Sequence, residues 1–187
     1  MANYEFASLK GLKKFIDNEA MREDRYKGSV LLPGFNLDEE ASVLREDGWP
    51  VSDIIEYIIT ANTCLWALVW LKNPQKPTEP IQLYDYQKTL LNCQNRFKLS
   101  RCGRQVGKTV CMCIDMIYFA MTNEHMRILY AAPYMSHVMT LVDQTLRPLI
   151  NDVPEIANSI TKTQTHPFHS FKLKNGSVIE AMTAGSG

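Results

Sequence analysis

Residues 103–109 read Gly-Arg-Gln-Val-Gly-Lys-Thr and run without a break into Val110–Thr122, an apolar stretch of helical period with no proline. This join restricts the fold more than any other feature. A helix that starts at a glycine gathers its unpaired first-turn amides, and the positive end of its dipole, where Gly107, Lys108 and Thr109 stand. Before the join, Arg96–Arg101 (RFKLSR) alternates apolar and polar residues as a strand does. After it, Arg127–Ala132 (RILYAA) reads as a strand that stops at Pro133, and Ser136–Ile150 has helical period. Strand, loop, helix, strand, helix is the order of an α/β fold with a parallel sheet flanked by helices, in which ligands sit at the C-terminal ends of the strands.

The chemistry of the loop follows from its residue types. The best-known phosphate-binding loop is GxxxxGK[ST] between a strand and a helix. Here the first glycine position holds Cys102, and the glycine stands one residue later at Gly103. Main-chain N–H groups from Gly103, Arg104, Gln105, Val106, Gly107, Lys108 and Thr109 would cradle phosphates, and Gly107 lets the backbone approach without a Cβ. The Lys108 ammonium would reach the β and γ phosphates, and the Thr109 hydroxyl would ligate Mg²⁺. Arg104 has two readings: it stabilises charge developing on the γ-phosphoryl group, or it pairs with a carboxylate and shapes the loop. A bare GKT also occurs as a solvated lysine beside a helix start. The strand-like approach, Gly103 and the apolar helix together favour a site for a nucleoside triphosphate, read as ATP with Mg²⁺.

The remaining sequence frames this loop. With 187 residues, 45% hydrophobic and 21% charged, the chain has the composition of a globular protein with one substantial core and room for a small second unit. Twenty basic residues balance twenty acidic ones, so any nucleic-acid contact must be local. Five cysteines without a CxxC pair read as reduced thiols. Tyr4 to about Arg25 reads as an amphipathic helix, Pro33-Gly34 as a turn and Leu37–Glu46 as a second helix. A third opens after Trp49-Pro50, with Ser52 as N-cap, and runs to Lys72. Its apolar part, Ile54–Leu71, carries Glu56, Thr60, Asn62 and Thr63, which suits a buried helix and not a membrane span. Asn73–Pro80 holds three prolines and reads as a stiff extended connector. The expected division is a helical region with connector, 1–80, and a nucleotide-binding domain, 81–187. In the latter, Tyr84–Asn92 forms a short helix and Phe168 onward gives two strands joined at Asn175-Gly176. A sheet of this kind would need strands beyond Gly187, so the domain is expected to be partial.

The segments YDYQKTLLN, RCGRQVGKT, RILYAAPYMSHVMTLVDQTL and FKLKNGSVIEAMTAGSG together resemble the ATPase domain of viral terminase large subunits of the tailed-bacteriophage type. The resemblance covers about Leu83 to the end, and its most specific part is GRQVGKT. It implies a P-loop NTPase-type sheet and an ATP-hydrolysing motor that drives viral DNA into procapsids. It implies Arg104 and Lys108 as catalytic groups, and Gln87 as the reader of the adenine edge. Ala131–Met135 would couple the nucleotide pocket to the DNA-engaging face. Implied partners are double-stranded DNA, a portal, a small terminase subunit and further large subunits in a ring, in the cytoplasm of the infected host cell and away from membranes. Two family parts are missing: an acidic strand motif beyond a loop like TAGSG, and a nuclease domain. Asp38-Glu39-Glu40 lies far upstream in a helix-like stretch and reads as a solvated face. A helicase-like P-loop ATPase and a non-catalytic nucleotide-binding or interaction fragment are the other readings.

Three smaller features complete the picture. His166 and His169 lack a cysteine or carboxylate at ligand spacing and read as loop and strand-edge residues. Cys111 and Cys113 alternate along the helix and read as small core residues. Cys102 falls beside the phosphates, where a lowered pKa would make it a reactive thiol.

Overall fold

The computed structural model of the chain describes residues 3–22, 26, 28–104 and 106–185. It is a mixed α/β structure with two compact units, one formed by Ala2–Trp70 with Ile81–Val106 and the other by Leu71–Pro80 with Gly107–Gly187. Among the described residues no helix is long and apolar enough to cross a membrane.

The first unit is helical. Helix α1 (Leu9–Ala20) starts at Ser8, whose Oγ accepts the Gly11 N–H at 3.2 Å, and buries Leu9, Leu12 and Ile16. Helix α2 (Leu37–Glu46) starts at Asn36, whose Oδ1 accepts the N–H groups of Asp38 and Glu39. Asp38, Glu39 and Glu40 occupy its first turn, where the helix dipole favours negative charge. The single helix expected from Ser52 to Lys72 is in fact two, α3 (Val51–Ala61) and α4 (Thr63–Trp70). Asn62 divides them. Its side chain is fully buried, its Oδ1 accepts the Leu32 N–H at 2.8 Å and its Nδ2 donates to the Ile58 carbonyl at 2.7 Å. Those two bonds satisfy the buried amide while its backbone turns to extended angles. Ser52 caps nothing: Pro50 precedes the helix and the serine hydroxyl donates to the Asp53 carboxylate. Helix α5 (Asp85–Leu91) also belongs to this unit.

The second unit carries the sheets. The proline-rich connector is extended but folds back on itself as a hairpin, β1 (Lys72–Asn73) against β2 (Lys76–Pro80), because Asn73 Oδ1 accepts the Gln75 N–H and closes the turn. Then come α6 (Lys108–Thr122), β3 (Arg127–Ala132), α7 (Met135–Leu141), a π-helical turn (Val142–Leu146), α8 (Arg147–Asn151), α9 (Pro154–Ser159), β4 (Ile160–Gln164), β5 (His169–Leu173) and β6 (Val178–Thr183). The π turn has a local cause. Pro148 has no N–H and its ring crowds the carbonyl four residues back, so the helix widens and the Arg147 N–H reaches the Val142 carbonyl instead.

The sheet order is β3-β6-β5-β4, with β3 and β6 parallel and the other two pairings antiparallel. The expectation of a parallel sheet is therefore corrected to a mixed one: Asn175-Gly176 reverses the chain between β5 and β6, and a reversal that tight produces antiparallel neighbours. Register divides the side chains between two faces. Ile128, Tyr130, His169, Phe171, Ile179 and Ala181 share the face that the helices cover. There Met139 of α7 meets His169 at 3.1 Å and Arg147 of α8 lies over Phe171 at 5.3 Å. On the opposite face Arg127 and Leu129 remain exposed. The hairpin turn also closes the far end of α6. Asn175 Nδ2 donates to the Ala120 and Asn123 carbonyls, and Ser177 Oγ donates to Asn123 as well. These bonds engage carbonyl groups that a helix end leaves without partners of its own.

Candidate functional site

The expected strand before the loop does not form. Residues 93–103 have no regular structure, and Phe97 and Leu99, which supplied the alternation, are 83% and 99% exposed. A strand needs a neighbour for its backbone groups and a surface for its apolar face, and Arg96–Arg101 has neither. The approach to the loop is an exposed coil, in which the Ser100 hydroxyl and the Cys102 thiol lie 3.0 Å apart.

The helix after the loop forms as expected. Gly107 is the N-cap of α6 in the left-handed conformation, φ +80°, which a residue with a Cβ adopts only at a cost of about 1–2 kcal/mol. Gly107 itself has no side chain with which to cap the helix. Lys108 is half-buried at the first helical position and Thr109 is exposed beside it. Gly103 and Arg104 are exposed and Val106 is half-buried, whereas Gln105 lies outside the described residues. Gly103 has an ordinary φ, so no backbone strain requires glycine there, and among the described residues the nearest atom to a Cβ built on it is 4.0 Å away. Among the described residues no carboxylate stands within ion-pair distance of Arg104. The structure thus brings Gly107, Lys108 and Thr109 onto one helix start, with Arg104 on the exposed loop before it.

Gln87 belongs to the helical unit and is buried. Its Oε1 accepts the Tyr84 N–H at 2.9 Å, which is half of a capping box at the start of α5. Two further features surround it. Tyr84 stacks between Tyr26 and Tyr86 at centroid distances of 5.2 and 5.7 Å, and Arg22 lies over Tyr26. Lys88 is 1% exposed, and its Nζ donates to the carbonyls of Glu19 at 2.8 Å, Tyr26 at 2.6 Å and Gly28 at 3.5 Å. Burial lowers its pKa, with the Glu19 carboxylate at 4.0 Å acting the other way. The tyrosines were visible as YDY; nothing in sequence marks a lysine destined for the interior.

The other candidate residues resolve plainly. Cys111 and Cys113 are buried in the core face of α6, and burial pushes the Cys113 thiol up to about 12. Cys102 is exposed. His166 is exposed, while His169 is buried against Met139. Among the described residues no three His, Cys, Asp or Glu side chains come together as a metal site. Ala132 ends β3 buried, and Tyr134 and Met135 beyond it are exposed. No protein-family model matches the chain, and no curated protein is significantly similar to it.

Proposed function

We propose that the chain is the ATP-binding portion of a terminase large subunit, the P-loop ATPase motor that packages double-stranded viral DNA into procapsids. The observation that carries the reading is the start of α6. A helix 15 residues long opens at a left-handed glycine, with Lys108 and Thr109 in its first turn and Arg104 exposed in the loop that precedes it in sequence. Such a terminus attracts phosphate oxygens through its amides and dipole, and the lysine adds a point charge. Mg²⁺ would arrive with the phosphates, since it is bound in such sites by phosphate and water oxygens with one or two protein ligands; the Thr109 hydroxyl would supply one. When bound, the ion neutralises charge on the β and γ phosphates. By the resemblance, Arg104 would stabilise charge on the γ-phosphoryl group and Gln87 would read the adenine edge. The GRQVGKT resemblance supplies the packaging context: DNA, portal, small subunit and sister copies in a ring, in the host cytoplasm.

Titration of Mg-ATP into the chain by calorimetry tests the reading. Lys108→Ala is expected to weaken binding by about tenfold or more, since it removes a charge-assisted contact worth about 1.5–3 kcal/mol. Equal affinity in the variant would remove the loop assignment. Arg104→Ala is expected to retain affinity and lose any DNA-stimulated phosphate release.

A second reading, that the chain binds nucleotide without turning it over, is favoured by the acids. The one Asp-Glu pair in the sequence, Asp38-Glu39, opens α2 in the helical unit and is no strand-end carboxylate pair. Phosphate release above background with DNA present would eliminate this reading.

A further inference from the structure

The face of the sheet that the helices leave uncovered carries a row of positive charge. Lys162 of β4 lies directly opposite Lys172 of β5, Lys172 opposite Val178 of β6, and Val178 opposite Arg127 of β3. The four residues form one rung across all four strands. With strands about 4.8 Å apart, the rung spans roughly 14 Å. Like charges facing each other across a strand pair are destabilising, so Lys162 opposite Lys172 is a cost the fold carries. The pairing is not accidental to the backbone. A bulge between Ile160 and Lys162 resets the register, keeping Ile160 opposite Leu173 and turning Lys162 to the lysine side. Among the described residues neither lysine has an ion-pair partner, and both are exposed. Arg127, 75% exposed, donates to Glu180 at 2.8 Å, and Glu180 is the acid of the adjoining rung, Gln164, Ser170, Glu180 and Leu129.

We propose that this uncovered face, through Lys162, Lys172 and Arg127, is a docking surface for the phosphate backbone of double-stranded DNA. Charge complementarity selects a polyanion, because three cations against one acid on a flat, hydrogen-bonded platform match a closely spaced row of phosphates. The two rungs contain no aromatic side chain, so they offer no stacking platform of the kind by which proteins hold single-stranded bases. Regular backbone contacts without base readout give binding that is indifferent to sequence. The identification of the polyanion as DNA rests on the packaging reading above; the charged rung itself does not.

Fluorescence anisotropy of a labelled 30-base-pair duplex with the full chain, across a salt series from about 50 to 200 mM, tests the proposal. Lys162→Gln/Lys172→Gln is expected to weaken duplex binding at least tenfold and to flatten the slope of log affinity against log salt by about two units, near one per lost phosphate contact. A companion variant, Lys10→Gln/Lys14→Gln, removes two exposed charges from α1 and is expected to bind within twofold of the unaltered chain. An equal loss in the companion, unchanged binding in the sheet variant, or tighter binding of a single strand of the same length would each overturn the proposal. Circular dichroism and thermal melting confirm that the variants fold. Mg-ATP calorimetry on the same samples separates the two readings. ATP binding with duplex binding unaltered by the sheet variant refutes only the face; duplex binding at the face without ATP binding refutes only the motor.

Discussion

At the scale of single residues, Lys88 governs more of the helical unit than its place on a short helix suggests. Its ammonium gathers carbonyls from Glu19, Tyr26 and Gly28, so one side chain ties the last turn of α1, and residues 26 and 28 beyond it, to α5. Lys88→Met keeps the volume but leaves those carbonyls without their donor, and is expected to cost about 1–3 kcal/mol in urea unfolding. The pH dependence has a definite sign. Burial lowers the folded pKa below 10.5, so between the two values the unfolded chain holds the proton and the folded chain releases it. The cost of the buried charge is complete below both values, and Lys88 contributes a rise in stability as pH climbs from its lowered folded value to 10.5. The rise should be absent from Lys88→Met when the two chains are compared.

At the scale of elements, legibility followed whether a pattern was satisfied locally. Helix α6 was readable because its apolar spacing and starting glycine lie within one segment, and the β5-β6 hairpin because Asn175-Gly176 encodes its own reversal. Arg96–Arg101 had the alternation of a strand and no partner, and pairing is not written in the strand itself. The break between α3 and α4 was hidden because Asn62 in an apolar run reads as a tolerated polar residue; its Leu32 partner stands thirty positions earlier. That Lys108 and Thr109 open a helix was legible from GKT and the apolar run after it, while the capping bond of Gln87 depends on helix geometry that the word YDYQ does not reveal. The exposed coil makes a prediction. Trypsin should cut first at Arg96, Lys98, Arg101 or Arg104, and Mg-ATP should slow cleavage at Arg104 several-fold by ordering the loop. Gel electrophoresis with mass identification of the fragments checks both points, and indifference of the Arg104 cut to nucleotide would count against phosphate binding there.

For the molecule as a whole, a formal net charge of zero conceals separation of charge. From Leu37 to Glu56 the chain has seven acids and the single cation Arg45, whereas the two rungs described on the open sheet face carry three cations and one acid. Solubility should pass through a minimum near neutral pH and recover on either side, since net charge keeps molecules apart; light scattering against pH would record it. The same bonds that close the end of α6 have a mechanical meaning. Asn175 and Ser177 fasten the helix at residues 120–123 to the turn of a hairpin, while its opposite end rests on one left-handed glycine. The helix is a beam clamped at its far support, and a load applied at Gly107 is delivered, one helix length away, to the root of strands β5 and β6.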